Sequence, residues 1–366
     1  MNKKRSVVAL CIICAVWIVL SVALALFHGG DVIESERRQA ASFPALTAKS
    51  VLSGEFAEGF EKWSTDRFPL REKLRSFKAA FNVYALGKND NNKITVLDGA
   101  AYEINYPINE KSVKNAADKI NNLCKKYIQA ENIYLSVIPD RSEKAAEYTL
   151  QPYIACSEYE RILCENIRYA KYIDISPLLQ REDYYSTDSH WRQEKIFDAA
   201  KKILGEMGAE SFSKEELSIK TAKEDFFGVY SGRAAVKLNA DAVKYVDNAV
   251  VSGASVDIPG KGEGLPIYDF SALNGKDPYD FYLYGASGIV KIQNPAAKSG
   301  RRLIILRDSY ASSLAPLLLK SYSEITLIDI RYISPELIKQ YADTQTDDLL
   351  IIMSGLLLNS SYTLKG

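Results

Sequence analysis

The spacing of hydrophobic and polar positions changes several times along the chain. No charged residue occurs from Val7 to Phe27, a run of 21 residues. As a helix that run would extend about 32 Å at roughly 1.5 Å per residue, enough to cross a bilayer core. Residues 28–50 lack apolar periodicity and read as a stalk. Phe56, Phe60 and Trp63 then recur at i, i+4 and i+7, the spacing of one helix face. Leu74, Phe77, Phe81 and Tyr84 resume that spacing beyond Pro69. Ile94–Leu97 and Tyr102–Ile104 flank Asp98-Gly99, which predicts a hairpin.

From there helical and strand-like segments alternate. Helices are expected over Asn109–Ala130, Ser157–Ala170, Gln193–Met207, Tyr310–Tyr322 and Pro335–Tyr341. Short apolar strands are expected at Ile133–Ile138, Tyr172–Ile175, Leu303–Leu306, Ile325–Ile330 and Leu349–Met353. That alternation predicts an α/β fold with a mostly parallel sheet covered by helices. Residues 211–300, rich in Gly and Tyr, read as an insertion of irregular strands and loops. The organisation expected is a tail over 1–5, a transmembrane anchor over 6–27, a stalk over 28–50 and one domain over 51–366.

Charge sets the orientation. Lys3, Lys4 and Arg5 precede the apolar run, so the positive-inside rule keeps the N-terminus in the cytoplasm and exports the rest. Ala23-Leu24-Ala25 resembles a small-residue cleavage site, which leaves a cleaved signal peptide as the rival reading. The 46 cations balance 46 acids without a basic stripe, which argues against nucleic acid as a partner. The exported part holds only Cys124, Cys156 and Cys164, too few for a disulfide scaffold. Buried thiols or a Cys156–Cys164 bridge both fit.

Ligands of parallel sheets sit beyond the carboxyl ends of the strands. Four segments qualify: Pro139-Asp140-Arg141, Asp183–Trp191, Arg307-Asp308-Ser309, and the stretch from Ser354 onward. The chain has two histidines, and His28 lies in the stalk, so histidine chemistry in the folded domain falls to His190. Asp188 lies two residues upstream. A carboxylate can hold the imidazole Nδ1 proton and leave Nε2 as a base, although a histidine can also follow an aspartate without chemical purpose. Leu303–Leu306 runs into Arg307-Asp308-Ser309-Tyr310, a strand ending in a serine at the mouth of a helix. This arrangement suits a nucleophile whose neighbouring N–H groups, those of Ser309 and Tyr310, meet an oxyanion. It equally suits a helix cap.

Thr187-Asp188-Ser189-His190-Trp191 together with Asp308-Ser309-Tyr310 resembles the DHHW family of surface proteins. It is also similar to the wider SGNH-like group of O-acetyltransferases that modify exported polysaccharides such as alginate. Phe60–Arg71, Asp225-Phe226-Phe227-Gly228 and Ser309–Tyr332 extend the likeness. The resemblance implies an SGNH-hydrolase-like three-layer fold and a triad of Ser309, His190 and Asp188. It further implies acetyl transfer to a cell-envelope or exopolysaccharide glycan, with a membrane-embedded acyl donor protein as a natural partner and no cofactor. De-acetylation by the same residues, or a non-catalytic surface scaffold, are the alternatives. The family's first histidine is Ser189 here, and the Gly of its Gly-Asp-Ser block is Arg307, whose side chain is expected to narrow the oxyanion pocket.

Tyr184, Tyr185 and Trp191 can stack on a sugar ring or simply pack. Arg141, Arg233 and Arg307 can meet an anionic substrate or serve structure. Gly260–Gly264 imitates a phosphate-cradling loop but leads into Leu265-Pro266 instead of a helix, so a surface turn is expected. A catalytic zinc normally takes three protein ligands, and the histidine and cysteine supply does not provide them.

Overall fold

A computed structural model describes residues 32–366 apart from Arg37, Pro69 and Asn89, together with residues 7, 8, 11–13, 15, 16, 18, 19 and 23. The tail expected over 1–5 and most of the anchor expected over 6–27 lie outside the described residues. Among the described residues no helix is long and apolar enough to cross a membrane.

Two compact units emerge, residues 1–91 with 231–236, and residues 92–230 with 237–366. The domain boundary expected at residue 50 therefore falls near Asn91. Residues 32–47 are also not a solvated stalk. Arg38 pairs with Asp66 at 2.5 Å, Arg71 with Glu36 at 2.6 Å, and the Phe43 ring packs edge-on against Trp63 at 5.0 Å. Gly59 lets the chain pass close by, since a Cβ there would meet Pro44 Cβ at 2.7 Å. These contacts bind the expected stalk to the helices Glu55–Asp66 and Arg71–Ala80, which explains the shifted boundary.

The second unit is built on an eight-stranded sheet. Numbered in chain order, its strands are β1 (Gln129–Ile138), β2 (Lys171–Tyr172), β3 (Ser255–Ile258), β4 (Gly262–Leu265), β5 (Ile289–Gln293), β6 (Arg302–Arg307), β7 (Glu324–Ile328) and β8 (Gln345–Ser354). They lie in the order β4-β3-β5-β7-β6-β8-β1-β2. The run from β7 to β2 is parallel, whereas β5, β3 and β4 add antiparallel at one edge. Residues 211–300 are thus only partly an insertion. Their second half extends the central sheet, and their first half forms the hairpin Ser218–Phe226 with Asp241–Asp247. The Gly-rich segment is divided between the turn after β3 and the strand β4 itself, which begins at Gly262; Gly260, in the turn, has φ 78°, where a side chain would be strained.

Both faces of the sheet are covered, which is why its parallel strands are continuous apolar runs. Leu303, Ile305, Leu350 and Ile352 face one core with helices Phe197–Glu206 and Ala311–Leu318. Ile304, Leu306, Leu349 and Ile351 face the other with helices Glu110–Tyr127 and Cys156–Asn166. The helix Glu110–Tyr127 starts where Asn109 accepts the Ser112 N–H at 3.1 Å and ends in Lys125 and Lys126, charges that suit its dipole. Cys124, Cys156 and Cys164 are unpaired, and burial pushes the Cys156 thiol up to about 12. In register, Arg307 lies beside Ile352 and Ser354 beside Ile138, so β6, β8 and β1 end on one rim.

Candidate functional site

Three side chains meet at that rim. His190 Nδ1 lies 2.6 Å from Asp188 Oδ1, and His190 Nε2 lies 2.7 Å from Ser309 Oγ. The two loops that carry them are 119 residues apart in sequence. Each loop is held by bonds local to it and by packing from elements that periodicity does not single out.

The loop bearing His190 folds back on itself. Tyr184 bridges Trp191, and the Tyr185 N–H donates to the His190 carbonyl at 3.0 Å. Asp241, almost fully buried, accepts from the Ser186 and Thr187 N–H groups and the Thr187 hydroxyl, each at 2.8 Å, and pairs with Arg192 at 2.9 Å. Asp188 is 1% exposed; its Oδ1 also accepts the His190 N–H at 3.2 Å, and its Oδ2 the Val229 N–H at 3.0 Å. Gly228 makes that approach possible, because a Cβ there would sit 2.3 Å from Asp188 Cβ. With both oxygens engaged, the carboxylate has one available orientation toward the ring.

The imidazole is also stacked. Its ring lies 3.7 Å from that of Tyr279 and within 9° of parallel. The Tyr279 hydroxyl bonds Ser313 Oγ at 3.0 Å, and burial holds this phenol well above its ordinary pKa, so it stays neutral against the ring. Trp191 locks the same corner, its Nε1 donating to the Tyr310 carbonyl at 3.0 Å and to Ser313 Oγ at 2.9 Å. His190 itself remains partly open, with 13% of its side chain exposed.

Ser309 follows β6, and Asp308 shapes the turn. One Asp308 oxygen accepts the Tyr310 N–H at 3.1 Å and the other the Ser354 N–H at 2.8 Å. This corrects one expectation: the Tyr310 N–H is committed to Asp308 and does not face an oxyanion. Of the two expected donors, the Ser309 N–H remains.

The structure also corrects the expected substrate contacts. Tyr185 and Trp191 are fully buried (0% exposed) and belong to the core, so neither offers a face to a sugar. Arg141 is buried as a clamp, donating to the carbonyls of Ala101, Tyr185 and Arg181 at 3.0, 2.9 and 3.1 Å, with its guanidinium 4.4 Å from the Tyr102 ring. Arg307 is turned inward onto Ser312 Oγ at 2.7 Å, where burial lowers its pKa, and so it cannot narrow an exposed pocket. Arg233 belongs to the other compact unit. Sequence reasoning missed the roles of Asp241 and Tyr279, which lie far from the motif, and of Ser313, whose partners Trp191 and Tyr279 lie far from it in the chain. Gly228 was signalled as part of Asp225–Gly228, and Ser313 as part of Ser309–Tyr332, in neither case with its contact.

The arrangement can be set beside solved structures. A DHHW family protein from Eubacterium siraeum superposes with a TM-score of 0.58 at 20% identity, over 76% of this chain and 98% of that one. The chain has the fold of a DHHW family protein. PatB1 of Bacillus cereus also superposes on the chain, with a TM-score of 0.58 at 17% identity over 72% and 96% of the two chains. A second PatB1 structure, carrying a sulfonyl adduct, gives 0.57 at 16% identity. No protein-family model and no curated protein sequence matches the chain.

Proposed function

We propose that this protein is a serine-dependent acyl-ester enzyme of the SGNH-like type, anchored by its N-terminus and acting outside the cytoplasm as an O-acetyltransferase on a cell-envelope glycan. The observation that carries the reading is the hydrogen-bonded series Asp188–His190–Ser309, at 2.6 and 2.7 Å. Those distances are within reach for proton transfer in both directions. The resemblance of Thr187–Trp191 and Asp308–Tyr310 to glycan O-acetyltransferases supplies the choice of acyl group and acceptor.

In this mechanism His190 Nε2 takes the Ser309 Oγ proton as Oγ attacks the acetyl carbonyl of the donor. The negative charge that develops on the carbonyl oxygen is met by the Ser309 N–H. Collapse expels the donor alkoxide, which receives the proton from His190, and leaves acetyl-Ser309. A sugar hydroxyl then gives its proton to His190 and attacks the acetyl group, and collapse expels Ser309 Oγ, which takes that proton back from His190 Nε2 as the O-acetylated glycan leaves. Water in the acceptor's place would give hydrolysis. Asp188 holds the Nδ1 side of the ring and stabilises the imidazolium, a contribution that belongs to a general-base step worth roughly 10²–10⁴-fold. A membrane-embedded acyl donor protein fits this scheme as the source of the acetyl group.

The test is covalent. A sulfonyl fluoride should modify Ser309, with the adduct located by peptide mass, and the modification should vanish in His190→Ala. Persistent absence of an adduct in the folded protein would overturn the enzymatic reading in favour of a scaffold. With an acetyl ester supplied, release of acetate against transfer to an added oligosaccharide separates hydrolase from transferase.

A further inference from the structure

The helices of the first unit bury very little. Over Glu55–Asp66 and Arg71–Ala80 only Trp63 and Ala79 are buried. Leu70, Leu74, Phe77 and Phe81 are 65%, 49%, 71% and 49% exposed. At about 100° per residue Leu74, Phe77 and Phe81 fall within one narrow stripe, with Leu70 just before its start, and the Phe77 and Phe81 rings stack along it at 6.4 Å. On the opposite side Arg75 pairs with Glu36 and Ala79 is buried. The stripe is therefore outward by construction.

We propose that this stripe lies flat in an anionic lipid surface. Three observations point to lipid as the occupant. Lys73 and Lys78 project on the two flanks of the stripe, about 60–80° to either side, and neither forms an ion pair among the described residues. Aliphatic stems beside an apolar face with ammonium groups at its edges are the arrangement that snorkels to phosphate headgroups. The stripe is made of Leu and Phe, which suit the boundary between headgroups and acyl chains. The unit that carries it is also the one continuous with the uncharged run Val7–Phe27, and it exposes Leu46 and Leu52 as well, at 70% and 88%. A second copy of the chain would cover the apolar residues but would bring its own lysines against these.

The full chain, reconstituted in vesicles of phosphatidylcholine and phosphatidylglycerol, tests this with a benzophenone amino acid in place of Phe77. Photolysis should give lipid adducts at least about five-fold above those from the same probe in place of Glu158, an exposed position on the other unit. Lys73→Glu with Lys78→Glu should lower the adduct yield several-fold in these vesicles and leave it nearly unchanged in pure phosphatidylcholine. Equal yields from the two probe positions would overturn the proposal, as would predominant cross-linking between protein copies. A yield indifferent to the two lysine reversals in anionic vesicles would overturn the requirement for an anionic surface.

Discussion

Two carboxyl groups sit buried at the same end of the sheet, and their surroundings hold them in different ways. Asp188 is 1% exposed and Asp140, after β1, is 4% exposed. Asp188 has the His190 ring and two backbone N–H groups around its oxygens. Asp140 has one strong donor, Asn105 Nδ2 at 2.7 Å, and burial pushes its pKa up to about 7, with Glu103 and Glu143 adding to the rise. The comparison teaches that burial alone does not decide how a carboxyl group is held. What decides is how many donors the fold places around it.

The largest effect expected from breaking the Asp188 side is on turnover. Ser309→Ala should lower acetyl-ester activity by roughly 10³-fold or more with the melting temperature nearly unchanged. Asp188→Asn comes next, at roughly 10²–10⁴-fold, because an amide cannot hold the Nδ1 proton of His190 in the same way; steady-state kinetics on a chromogenic acetyl ester measures both. Gly228→Ala tests whether placement matters apart from chemistry. Its Cβ would meet the Thr187 carbonyl at 2.5 Å and Asp188 Cβ at 2.3 Å, so the loop must shift. The expected outcome is a loss of about 1–3 kcal/mol in denaturant unfolding together with reduced turnover.

Asp140 sharpens the other half of the comparison. Its folded pKa lies above the unfolded value, so the folded state binds the extra proton and the group stabilises most at low pH. That contribution falls as pH rises from about 4 to about 7, by up to about 1.4 kcal/mol per pH unit, and is gone above the folded pKa. Asp140→Asn should flatten that decline in urea titrations across the window; an unchanged slope would mean the carboxyl is not held protonated. The smallest effect belongs to Ser354, whose Oγ accepts the Leu357 N–H at 3.3 Å as a helix cap. Ser354→Ala should cost about 1 kcal/mol and leave turnover alone, although this serine ends the strand beside that of Ser309.

Much of this was legible in the order of residues. Runs such as Leu303–Leu306 and Leu349–Met353 are apolar without alternation, which marks strands buried on both faces, and the segments between them carry helical spacing. Asp188, His190 and Ser309 could be picked out because the domain has one histidine and because strand-end loops are few. Burial was not legible. Tyr185, Trp191 and Arg141 lie in strand-end segments as a substrate contact would, but long-range packing turned each of them inward. The boundary near Asn91 was hidden for a similar reason, since Arg38 and Asp66 are 28 residues apart and no local pattern announces their pairing.

The sequence by itself determined the alternation of helix and strand, the supply of reactive groups and the uncharged run at the N-terminus, because these follow from local spacing and residue type. Tertiary structure alone decided that one imidazole meets one hydroxyl, that the Tyr310 N–H is spent on Asp308, and that β3, β4 and β5 join the central sheet. Those outcomes depend on distances between segments far apart in the chain, and such distances are set by how two apolar cores close on a single sheet.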